Sequence, residues 1–241
     1  MGQLGIIRTA TGAQYRAEDW TASPLYSTVD IDDAAALTRL DAFSYGKGGE
    51  IPGSVAAAGT AQRTATLKDT NVEGAGGILA ENEELMLFGL CVELIQRYSS
   101  LTDFFNGNET WCPDPPLVSF TNVLRVQQDT VVRLMIANTK DYHAVPIGAL
   151  PAARGVNHVF GSARSQGSAY AEGMVVGSNG GVNEHTHRRF GTPHEVGPGE
   201  AFSVRFEFPR GSVANLDFGA DTRARISARV WTRGLRRRPV A

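Results

Sequence analysis

Apolar and polar positions alternate most cleanly over Ala201–Phe208. Phe202, Val204, Phe206 and Phe208 share one side of that stretch, and Ser203, Arg205 and Glu207 share the other. A two-residue period of this kind predicts a half-buried β-strand. Thr222–Thr232 repeats the scheme, with Ala224, Ile226, Ala228 and Val230 inward and Arg223, Arg225, Ser227 and Arg229 outward. The longest apolar run, Glu84–Tyr98, is different. As a strand it has two apolar faces, Met86, Phe88, Leu90, Val92 and Leu94 on one and Leu85, Leu87, Cys91 and Ile95 on the other. Such a strand is covered on both sides. A helix is the rival reading, with Asn82 as N-cap ahead of Glu83 and Glu84. Gly89 in its middle costs a helix about 1 kcal/mol against Ala. The β character of the surrounding chain decides for the strand.

Further strands are predicted over Ala65–Leu67, Leu117–Val126, Thr130–Ala137, Tyr142–Ile147 and Ala169–Val176. Gln127–Asp129 is short enough to join the second and third of these as a hairpin. Gly74–Gly77, Asn106-Gly107-Asn108 and Ser178–Gly181 are turn signals, and Trp111–Pro116 and Gly148–Gly167 are expected loops. Asp32–Phe43 is expected to make a short helix with Leu37 and Leu40 on one face. Residues 1–64 otherwise consist of short apolar pieces between Gly, Ala, Ser and Thr, which predicts an N-terminal arm with short elements. Residues 65–241 are the β domain. About eight strands fit from Glu84 onward, without the strand–helix alternation of a parallel α/β sheet. The predicted fold is therefore all-β, an antiparallel jelly-roll β-sandwich with an extended N-terminal arm.

Composition adds limits. A chain of 241 residues buries a sizeable core, and its 27 glycines suit a fold with many turns. A net charge of −2 predicts no general attraction to nucleic acid. Two cysteines make no disulfide framework, and Cys91, inside the apolar run, is expected to be a buried small hydrophobe. No run has the length of a membrane span, and Met1–Thr11 lacks the pattern of a signal peptide.

Two clusters carry candidate chemistry. Three of the five histidines, His185, His187 and His194, fall close together, with Glu184 and Glu195 beside them. On a strand, His185 and His187 point to one side and can share a metal ion, to which His194 and Glu195 would have to come from across a turn. Arg188 and Arg189 adjoin the pair and oppose a cation. The second cluster is Arg233, Arg236, Arg237 and Arg238 after the last strand, a candidate contact for nucleic acid or for a neighbouring subunit's carboxylates. No nucleophile elbow, Walker loop, dinucleotide fingerprint or CxxC pair is present, so neither a catalytic set nor a cofactor is expected.

The His-x-His of residues 185–187 resembles that of the cupins, which are also jelly rolls, although cupins place a Glu about four residues later and this chain has Arg188-Arg189-Phe190-Gly191 there. A broader likeness spans most of the chain. Phe43-Ser44-Tyr45-Gly46, Thr66–Val72, the run Glu84–Glu93, and the closing Ala228–Trp231, Gly234 and Arg238-Pro239-Val240 together resemble jelly-roll structural proteins of bacterial viruses. That resemblance implies a capsid protein of the virion, assembled in the host cytoplasm, which works by self-association and contact with other virion proteins, without a catalytic site. A cupin-like metal-dependent enzyme or binding protein, and a carbohydrate-binding sandwich using aromatics such as Trp111 and Tyr142, are the alternatives.

Overall fold

The computed structural model describes residues 5–9, 12–16, 20–22, 24–31, 38–53, 64–73, 77–79, 81, 83–97, 115–137, 140–150, 157–160, 175–178, 187–209, 216 and 225–237. The strands are β1 (Ile6–Arg8), β2 (Gln14–Arg16), β3 (Thr21–Ala22), β4 (Tyr26–Ile31), β5 (Arg39–Ala42), β6 (Glu84–Arg97), β7 (Val131–Ile136), β8 (Lys140–Pro146), β9 (Asn157–Phe160), β10 (Val175–Ser178), β11 (Arg188–Val196), β12 (Phe202–Glu207) and β13 (Arg225–Arg237). A helix, α1 (Pro115–Asp129), precedes β7, and a single 3₁₀ turn, Ile147–Ala149, follows β8.

All pairs among the described strands are antiparallel. In the larger sheet β13 lies between β4 and β6, and β11 lies on the other side of β6. β3 extends this sheet beside the end of β13, and β10 and β9 extend it beyond the far end of β6. The smaller sheet has the order β5-β12-β7-β8, and β1 and β2 form a separate hairpin.

One core joins the two sheets. Val29, Ile31, Leu90, Val92, Leu94, Ile226, Ala228 and Val230 come to it from the larger sheet, and Leu40, Ala42, Val132, Leu134, Ile136, Phe202, Val204 and Phe206 from the smaller. The alternation predicted over Phe202–Phe208 and Ile226–Val230 is thus the alternation observed.

Glu84–Arg97 is a strand, as predicted, but its faces differ from the simple alternation. Arg233 of β13 is opposite Gly89 and Gly234 is opposite Leu87, so Phe88 is an extra residue on β6. Such a bulge shifts the phase of side chains by one. Leu85 and Leu87 therefore join Leu90, Val92 and Leu94 in the core, and Met86 and Cys91 are buried outside that core cluster. Glycine at 89 is required by close packing, since a Cβ there would lie 2.5 Å from the Arg188 carbonyl oxygen.

Several local expectations are corrected. Leu117–Val126 is helical, within α1, and no hairpin joins it to β7. Its β-branched residues suggested a strand, but among the described side chains of the helix Val123 and Val126, three apart, are buried in the core. Pro115 and Pro116 open the helix, where a missing N–H costs nothing. Leu40 is on a strand instead of a helix, and residues 32–37 lie outside the described set. Ala65–Leu67 is not a strand, and Asn157–Phe160, within the expected loop, is one. β4 and β5 fall within the residues expected to form the arm, and both lie in the sheets.

Candidate functional site

The outer face of the larger sheet, turned away from the shared core, brings together the aromatic and charged residues of β4, β6, β11 and β13. Because Val230, Ala228 and Ile226 enter the core, Ser227, Arg229, Trp231 and Arg233 project from the opposite side. The cross-strand register arranges them in rows. Thr28, Arg229 and Glu93 form one row; Tyr26, Trp231 and Cys91 the next; Arg233, Gly89 and Arg189 the third; and Leu235, Met86 and Glu195 the fourth.

Arg229 and Glu93 organise the first two rows. Arg229 donates to Glu93 at 3.3 Å and to the Lys68 carbonyl at 2.7 Å. Trp231 Nε1 donates to the same Glu93 oxygen at 3.3 Å. Tyr26 and Trp231 stack at 4.7 Å between centroids, and the Arg229 guanidinium lies 5.9 and 5.8 Å from those two rings. Side-chain exposures of 16% and 15% for Arg229 and Glu93 place this pair in a partly desolvated setting, where it contributes more than a solvated surface pair.

One end of this face is sealed by two loop segments. Tyr45 Oη accepts the Thr28 N–H at 3.1 Å and donates to the Thr28 carbonyl. Thr28 Oγ1 donates to the Asp69 carbonyl at 2.8 Å, and Thr70 Oγ1 donates to the Tyr26 carbonyl at 3.1 Å. The Tyr26 N–H donates to Asn71 Oδ1 at 2.9 Å. Residues 43–46 and 66–72, two of the stretches that carry the viral resemblance, thus cap the β4 edge with side-chain and main-chain groups. Burial pushes the Tyr45 hydroxyl pKa up. At the other end, Tyr15 of β2 donates to Glu195. Burial first, and then that hydrogen bond and the Glu195 charge, push the Tyr15 pKa up to about 12.

Of the predicted metal residues, His185 lies outside the described set. His187 immediately precedes β11. His194 lies opposite Leu87, 8% exposed, with its ring 4.9 Å from that of Phe190. Between Arg189 and His194 the register of β11 against β6 is broken, so Arg188–Val196 is not one continuous strand face. Among the described residues no group of three His, Cys, Asp or Glu side chains is placed to hold a metal ion.

Of the predicted arginines, Arg236 pairs with Glu83, and Arg237 with Glu84 at 3.1 Å. Arg233 is on the outer face, and Arg238 lies outside the described set. Trp111 is likewise outside it, and Tyr142 is on β8. The Arg229–Trp231–Glu93 cluster was not singled out by sequence motifs. Its signals were a lone acid within the apolar run and the outward arginines of β13.

A cavity between the sheets, lined by Leu90, Val132, Leu134, Val145, Leu150, Arg188 and Phe190, has a volume of about 10 Å³. That is about one water, far below the several hundred Å³ of a small-molecule pocket. No helix among the described residues is long and apolar enough to cross a membrane. In comparison with known proteins, no family model matches the chain and no curated protein matches it.

Proposed function

We propose that this chain is a virion structural protein, a capsid subunit built on a jelly roll and working by self-association. The supporting observation is the pairing order. β4, β5, β6, β7, β8, β11, β12 and β13 pair first with last, second with seventh, third with sixth, and fourth with fifth. The remaining pairs join them into β4-β13-β6-β11 and β5-β12-β7-β8. A jelly roll, two interlocked Greek keys, has this arrangement, and it is an architecture of viral capsids, lectins and cupins. Within that group the resemblance of residues 43–46, 66–72, 84–93 and 228–231 to bacterial-virus proteins favours the capsid.

Further support comes from the surface. Ile6, Leu67 and Ile78 are large apolar side chains held out to solvent, at 63%, 59% and 52% exposure. Such residues suit contacts between subunits or with other virion proteins. The arm in this reading is the segment before β4. It includes the β1–β2 hairpin and β3, which pairs with the end of β13.

Negative-stain electron microscopy with light scattering on the same purified sample tests the proposal. Closed shells or discrete symmetric oligomers are expected. A monomer at every concentration and ionic strength tried overturns it.

A further inference from the structure

We propose that the turn Thr66–Asp69 of one copy, which presents Leu67 and Lys68, docks on the corner around Ile78 of a second copy. The proposal rests on the self-association reading and deepens it, since it names two surfaces of this chain that meet.

The turn is held by the sheet beneath it. Three consecutive carbonyls each accept from a side chain of the larger sheet. The Leu67 carbonyl accepts from Tyr26 Oη, the Lys68 carbonyl from Arg229 at 2.7 Å, and the Asp69 carbonyl from Thr28 Oγ1 at 2.8 Å. Inside the turn, Asp69 Oδ2 accepts the Thr66 N–H at 3.0 Å and the Thr66 hydroxyl at 2.9 Å. The Asp69 N–H donates to the Thr66 carbonyl at 2.9 Å. Local side-chain bonds of this kind fix a turn. Single exposed leucines are ordinary on a protein surface. Leu67 differs because its backbone is fixed while its side chain is 59% exposed. An apolar group on a preorganised turn binds without the cost of ordering a loop.

The Ile78 corner is also fixed, and it adjoins the smaller sheet. Ile78 bridges Ala201, the residue before β12, and the Leu79 N–H donates to the Glu200 carbonyl at 3.2 Å. Gly77, at φ 65°, lies against the Phe43 and Phe202 carbonyls, where a Cβ would come within 2.1 and 2.5 Å. Leu79 turns into the core and Ile78 away from it, 52% exposed.

Charge decides for a second copy as the occupant. Asp69 is buried and turned to Thr66, so Lys68 is the exposed charge of the turn. Among the described residues, the exposed charges adjoining Ile78 and Ala201 are acidic. They are Glu81, three residues after Ile78, and Glu200, which precedes Ala201. Glu200 Oε2 accepts the Gly197 N–H at 2.9 Å, which steadies the carboxylate without neutralising it. One surface thus joins an apolar residue to a cation, and the other joins an apolar residue to two acids, a complementary pair. Both lie on one chain. Two copies can form the contact whether it closes reciprocally about a twofold axis or runs head to tail.

The test follows association of the full chain by sedimentation velocity over a concentration series at fixed salt. Thermal unfolding checks that each variant folds. Leu67→Asp sets an acid against Glu81 and Glu200, and Ile78→Lys sets a cation against Lys68. Each is expected to raise the concentration of half-association about thirtyfold, because like charges then face each other. An equimolar mixture should recover about tenfold of that loss, since the first variant keeps its Ile78 corner and the second keeps its Leu67 turn. Should Leu67→Asp not fold, Leu67→Ser takes its place, with an expected loss of about tenfold from the apolar area no longer buried. Association like the parent's in either variant, or a mixture no better than its parts, overturns the proposal. If the parent associates in those cases, self-association stands and uses other surfaces. A parent that stays monomeric throughout overturns both.

Discussion

Glu93 and Leu94 are consecutive residues of β6, yet they belong to different kinds of structure. Leu94 is fully buried in the core shared by the two sheets, among Ile226, Ala228 and Val92. Its stabilising effect comes from apolar area removed from water and from close packing, and it depends on no single partner. Glu93 faces the other way and works through two named donors, Arg229 and Trp231. The inner face tolerates exchange of one aliphatic side chain for another of similar volume. The outer face depends on particular atoms in particular places. The difference separates what holds the protein together from what gives its surface a specific character.

Four substitutions probe that contrast, in decreasing order of expected effect. Leu94→Ala should destabilise the protein by about 2–5 kcal/mol, measured by denaturant unfolding, because it opens a cavity in a closed core. Gly89→Ala should cost about 2 kcal/mol, since the new methyl meets the Arg188 carbonyl and must push β11 away from β6. Increased amide exchange confined to β11 and the adjoining part of β6 would locate that effect. Glu93→Gln should cost about 1 kcal/mol, the scale of a partly shielded ion pair and its hydrogen bonds. Should it match Leu94→Ala, the distinction between the two faces would not hold.

The smallest effect is expected at Tyr15, and its signature is a change of stability with pH in alkali. Its folded-state pKa is raised, from 10 to about 12. The folded state therefore keeps the phenol proton where the unfolded chain loses it. The associated stability is fully present below about pH 10 and is lost as pH rises through about 12. Tyr15→Phe should flatten the stability profile between those values and, by removing the hydrogen bond to Glu195, lower stability at neutral pH by about 0.5 kcal/mol. An identical alkaline decline in the variant would assign the effect to other groups.

The inner face was legible in the sequence because alternation records it directly. Phe202, Val204 and Phe206, and Ile226, Ala228 and Val230, were placed inward by period alone. β6 was legible as a strand but not in its phase. A bulge adds one residue without changing composition, so the shift at Phe88 becomes visible only through the register of β13. The helix α1 was missed because Val118, Thr121, Val123 and Val126 carry β propensity, which tertiary contacts of Val123 and Val126 override. The outer cluster needed pairing information as well. Nothing local says that Glu93 meets Arg229, more than a hundred residues away, or that Asn71 completes the edge of β4.

The position of β13 has a consequence for how the protein is made. It lies between β4 and β6, although it is the last of the described strands to leave the ribosome. At about 5–20 residues per second, synthesis from the end of β6 to the start of β13 takes roughly 6–25 s. Throughout that interval β4 and β6 have emerged without the strand that joins them, and the apolar run of β6 is open to any other nascent chain. Crowded synthesis of many copies makes that delay a hazard of mispairing. A holding chaperone that engages β6 during translation, and releases it once β13 is complete, should therefore raise the yield of folded protein more than one that acts after release.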